Sequence, residues 1–97
     1  MTQHHRLPPL DDARRLHIET MCIWIDMQLT LKMPYAALHT LNKIHDSGVG
    51  NMFKTPNALW DDVALVIYGI TGQPANTGPQ AMLRNWQAAA RDRLASA

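Results

Sequence analysis

The sequence is short of several things, and each shortage excludes something. It has a single cysteine, Cys22, set within an apolar run. One cysteine rules out an internal disulfide framework, and its setting is that of a buried thiol acting as a small hydrophobe. No apolar run approaches the roughly 18 residues a membrane span requires, so no membrane association is expected. Residues 1–15 are polar, with Pro8 and Pro9 where the apolar part of a secretory leader would stand; the expectation is a soluble cytoplasmic protein. Net charge is also scarce: nine Lys and Arg against eight Asp and Glu leave +1. Nucleic-acid binders usually carry a larger basic excess, although a dimer can gather its positive charge on one face.

The chain also lacks the patterns that carry catalysis. It has no HExxH, no glycine-rich phosphate loop after a strand, no GxSxG and no paired-cysteine zinc signature. Asp11-Asp12 and Asp61-Asp62 are adjacent pairs near expected helix starts, where capping and the helix dipole account for them. Neighbouring residues on a helix point in different directions, so neither pair forms a dyad. His17, His39 and His45 do not share a helical face, and the adjacent His4 and His5 cannot hold one ion well without further ligands. The expectation is a non-enzymatic protein with no catalytic residues, metal or cofactor.

What the chain does have is apolar bulk. The apolar share is 46%, with three Trp and six Met, enough for a compact core and for an oligomer interface besides. Residues 1–9 read as a flexible N-terminal arm, kept out of helix by Pro8-Pro9. Residues 10–97 read as a single helical domain. A helix is predicted over 11–22, possibly extending to 32, with Asp11 as cap and Ala13, Leu16, Thr20, Ile23 and Met27 as its stripe. Ile18, Met21, Cys22 and Ile25 form a second apolar face. Pro34 opens a helix over 34–46, ended by Ser47-Gly48-Val49-Gly50-Asn51 with a glycine available for the left-handed cap. Residues 47–54 read as a loop that tucks Met52 and Phe53 against the core. Thr55-Pro56 opens a helix over 56–70, although Val63–Tyr68 has enough β-branched residues for a buried strand. A loop over 71–79 leads to a last helix over 79–95, packed through Met82, Leu83, Trp86, Ala90 and Leu94. Leu38, Leu41, Trp60, Val63 and Ile67 are expected in one core. The fold class is thus mainly α, a compact bundle of four to five helices, with one possible short strand at 25–33 pairing across a dimer.

Residues 25–33 allow both readings. Apolar and polar residues alternate without a break from Ile25 to Met33, the period of a half-buried strand. Met, Gln, Leu and Lys, however, form helices readily. Read as a strand leading to Pro34 and a helix, residues 25–46 resemble the ribbon–helix–helix repressors of the Arc and MetJ type. The resemblance implies a two-stranded ribbon, shared between two copies, that lies in the DNA major groove. Gln28, Thr30 and Lys32 would then face bases and Arg6, Arg14 and Arg15 the phosphates. The implied function is a small dimeric DNA-binding transcriptional regulator. If 25–33 is helical instead, the chain reads as an all-helical protein–protein interaction module or inhibitor that blocks a partner's surface, as accessory proteins of mobile elements do. A homodimer is expected because residues 21–33 carry more apolar surface than one internal face uses.

Overall fold

The computed structural model describes residues 10–31, 35–56 and 61–96. The elements are α1 (Asp12–Thr30), α2 (Ala36–Ser47), β1 (Gly50–Pro56), β2 (Asp61–Ile67), β3 (Ile70–Thr71) and α3 (Pro79–Ala95). The fold is a small α+β domain with three helices and a three-stranded antiparallel sheet in the order β1-β2-β3, not a bundle of four to five helices. The expected arm over 1–9 lies outside the described residues, as do Lys32, Pro34 and Trp60.

The largest correction concerns residues 50–70. In place of a loop and a helix over 56–70, β1 and β2 form a hairpin in register from Gly50 opposite Ile67 to Pro56 opposite Asp61. The β-branched residues Val63, Val66 and Ile67 suit a pleated strand better than a helix, and they outweigh the Thr-Pro start signal. The next turn fixes the outcome. Tyr68 and Gly69 both have positive φ, 53° and 76°, as both central residues of a two-residue type I′ hairpin turn require. The glycines at 69 and 72 therefore mark a turn and a close packing point rather than the end of a helix. A Cβ on Gly72 would stand 2.7 Å from the Trp86 backbone nitrogen. A bridge between Val63 and Ala75 extends pairing on the far side of β2.

The helices start and stop on local signals. The Asp11 carboxylate accepts from the Arg14 backbone N–H at 2.7 Å and caps α1. In α2, Tyr35 takes the cap position in the left-handed conformation and Gly48 ends the helix. Pro79 occupies the first turn of α3, where a missing N–H costs nothing. The one possible strand, over 25–33, is not formed in its described part: residues 25–30 are the last turns of α1, as the extended-helix reading had it.

Helix α3 is the hub. It contacts α1, α2, β2 and β3, and Met82, Leu83, Trp86 and Ala90 are buried along it. Trp86 is fully buried and its indole N–H donates to the carbonyl oxygens of Ile70 at 3.0 Å and Ile67 at 3.3 Å, pinning the β2–β3 turn. The rest of the core comprises Ile18, Cys22 and Ile25 of α1, Leu41 and Ile44 of α2, and Leu65 and Ile67 of β2. Of the five residues expected in one core, Leu41 and Ile67 are there and Val63 packs against it. Leu38 is 47% exposed. Its position one turn before Leu41 places it on the flank of the stripe made by the buried Leu41 and Ile44 and the partly buried Ala37.

Candidate functional site: the outer face of α1

Helix α1 carries two apolar stripes. Ile18, Cys22 and Ile25 point into the core, and Leu29 continues that stripe, half-buried. The stripe read from sequence as the packing face points the other way. Leu16 is 61% exposed, Ile23 60%, Met27 58% and Leu31, just past the helix end, 47%. Thr20 is exposed between them. The spacing of residues 16, 20, 23 and 27 is four, three and four, the pattern of a seam that packs against another helix. A chain of this length has enough helices to cover one face of α1, and α2 and α3 take the side with Ile18, Cys22 and Ile25.

The inner side is fixed by a polar clamp as well as by apolar contact. Gln87 of α3 is buried, and its amide donates to the Cys22 carbonyl at 2.9 Å and the Asp26 carboxylate at 3.0 Å. Arg84 bonds both Asp26 and the Gln87 side-chain oxygen. Arg91 reaches the other Asp26 oxygen at 3.1 Å. The Gln87 and Arg84 hydrogen bonds, with the charges of both arginines, hold the Asp26 carboxyl below its ordinary pKa. Burial raises the Cys22 thiol, which keeps it protonated and unsuited to nucleophilic attack. This clamp and the apolar contacts of Ile18, Cys22 and Ile25 together fix the orientation of α1, and so of its outer stripe.

Beside the stripe lies an apolar groove between α1 and α2, about 360 Å³, lined by Met21, Trp24, Ile44 and Val49 with Lys43 and Ser47 at its edge. A larger open cleft of about 580 Å³ lies where the α1 start, the β2–β3 turn and the α3 end meet. There Arg14 donates to the Tyr68 carbonyl at 3.0 Å, and the His17 ring stacks on Tyr68 at 5.7 Å.

The residues expected to contact DNA are dispersed. Gln28 is half-buried and Thr30 exposed; two positions apart on a helix, they face in nearly opposite directions. The Thr30 hydroxyl donates back to the Met27 carbonyl at 2.8 Å. Arg14 is engaged with Tyr68, and Arg15 donates to the Leu94 carbonyl at 3.2 Å. Arg6 and Lys32 lie outside the described residues. Sequence reasoning missed Asp26, Arg84, Gln87 and Arg91 as a group, because nothing local marks residues about 60 positions apart as neighbours.

Among the described residues no three His, Cys, Asp or Glu side chains gather as a metal site, and no helix is long and apolar enough to cross a membrane. No family model, curated protein or solved structure matches the chain.

Proposed function

We propose that this protein is a small non-enzymatic interaction module that docks the outer face of α1 against an apolar surface of a protein and covers it. The observation that carries this reading is the row of Leu16, Ile23, Met27 and Leu31, each about half exposed or more, on one side of a helix whose other side packs into the core through Ile18, Cys22 and Ile25. Single exposed apolar residues are ordinary, but a contiguous row along about four turns of helix marks an interaction surface. Such a helix recognises its partner through anchors spaced three and four residues apart. The chemistry of the described residues fits a binding role: the Asp26 charge is held in ion pairs and the single thiol is buried.

The test is a photo-crosslinking residue placed at Met27, with Gln80 on the exposed side of α3 as control. Discrete protein adducts are expected from position 27 and not from 80, lost when Leu16 and Ile23 are both changed to Glu. The adduct protein, once purified, should bind the unaltered chain and not the Leu16→Glu, Ile23→Glu variant. Equal adducts from both positions, or none, would refute docking through α1. Tight binding to duplex DNA at low salt that ignores the stripe substitutions would favour the regulator reading instead.

A further inference from the structure

We infer that the occupant of the α1 outer face is a second copy of this chain, with the two α1 helices packed antiparallel about a two-fold axis between Ile23 and Trp24. This rests on the docking reading above and names its partner. The stripe reads alike in both directions along the helix. Residues 16, 20, 23, 24, 27 and 31 keep the same spacing when the direction of the chain is reversed about the point between 23 and 24. In an antiparallel pair Leu16 meets Leu31 of the second copy, Thr20 meets Met27, and Ile23 meets Trp24, which is half-buried at the edge of the stripe. Every exposed apolar residue of the stripe then has an apolar or small partner. An isologous interface needs this self-complementarity, and the four-three-four spacing supplies it.

Area and charge agree. Helix α1 has 19 residues, so it is about 28 Å long. Two such helices in contact along their length bury on the order of 1,000 Å² in total, the lower edge of specific interfaces. That size fits a dimer that exchanges with monomer in the micromolar range. On one flank of the stripe stand Glu19, which pairs with Arg15 at 3.9 Å, and Asp26, which carries both Arg84 and Arg91, so the Asp26 cluster is net positive. Antiparallel packing brings like flanks together, setting the exposed Glu19 of one copy beside the arginine-bearing cluster of the other.

The register is tested by cysteine pairs under mild oxidation, with Cys22 left in place because it is buried. The variant with both Thr20→Cys and Met27→Cys is expected to give a covalent dimer joined between positions 20 and 27, read by mass spectrometry of the linked peptides. Thr20→Cys alone should not crosslink, because in this register the two copies of residue 20 sit about 10 Å apart along the axis, beyond disulfide reach. A dimer from Thr20→Cys alone would mean parallel packing and overturn the inference. So would a chain that sediments as monomer at several hundred micromolar. Ile23→Glu places two carboxylates near the axis and should weaken the dimer at least about a hundredfold while leaving the far-UV spectrum unchanged. If the chain is monomeric yet position 27 still crosslinks to another protein in a stripe-dependent way, the second-copy inference fails and the docking reading stands. If neither occurs, both fail.

Discussion

Trp86 offers the sharpest check on how the helices and sheet are joined. It is fully buried on α3 and its indole N–H reaches two carbonyl oxygens on either side of the Tyr68-Gly69 turn. Trp86→Phe keeps most of the ring but removes the donor and part of the volume. The lost hydrogen bonding contributes about 1 kcal/mol net, and the unfilled space of a few tens of Å3 about another 1 kcal/mol, so the expected loss is about 2 kcal/mol. Trp86→Ala empties the whole site and should cost about 3–5 kcal/mol. Urea unfolding followed by far-UV circular dichroism measures both. With a slope of about 1 kcal/mol per molar urea, the Phe variant should move the midpoint by about 2 M. Protein concentration must be held fixed, because a self-associating chain gains apparent stability with concentration. The reasoning is refuted if Trp86→Phe costs as much as Trp86→Ala, or if Trp86→Ala costs under about 1 kcal/mol, a value typical of surface positions.

Four further outcomes are expected from the same assay. Gly69→Ala should cost about 1–2 kcal/mol from the left-handed backbone alone, since the nearest atom to the added Cβ is 3.6 Å away. Gly72→Ala should cost about 2–3 kcal/mol because its Cβ would meet the Trp86 backbone at 2.7 Å; the reverse order would show that α3 does not press on the sheet here. Leu41→Ala should cost about 2–5 kcal/mol as for a buried leucine, while Leu38→Ala, at a 47% exposed position, should cost under about 0.5 kcal/mol. Asp26 has a lowered pKa in the folded state, so its contribution is present above the unfolded value near about 3.9 and is lost as pH falls through the folded value. Midpoints at about pH 6 and about pH 3 should therefore show Asp26→Asn less stable than the unaltered chain at the higher pH, with the gap narrowed at the lower; a gap that widens in acid would contradict the clamp.

The helical ends of the chain were legible because their signals are local. Asp11 as cap, Gly48 as terminator, Pro79 in the first turn and the stripe through Met82, Leu83, Trp86 and Ala90 all stand where sequence patterns put them. The hairpin was not, because two local signals disagreed over 55–70. Thr55-Pro56 and the acidic pair suggested a helix start, while Val63, Val66 and Ile67 favoured a strand, and strand formation depends on a partner that the segment itself does not reveal. The Tyr68-Gly69 pair was the best available clue. A glycine two or three residues past a β-branched run serves as a hairpin turn as readily as a helix end. Leu38 failed differently: the helix was right and its rotation was off by one flank.

The alternation over 25–33 has a physical origin that bears on function. Ile25 and Leu29 belong to the inner stripe of α1, four residues apart; Met27 and Leu31 belong to the outer stripe, also four apart. Two rows at helical spacing, offset by two residues, interleave into a perfect period of two. A strand and a helix with two apolar faces are therefore indistinguishable by alternation over this length, and the residue types decide. Met, Gln and Leu lose little side-chain freedom in a helix, so the segment continues α1. Alternation gives a strand a single apolar face, whereas the same residues in a helix form two rows on opposite sides. The residues that suggested a ribbon shared by two copies thus divide between the core and an uncovered row on the side of α1 carrying Leu16, Ile23, Met27 and Leu31. Replacing Met27 by Gln would break the alternation and leave the core untouched, so its effect should fall on association and not on the unfolding midpoint of the monomer.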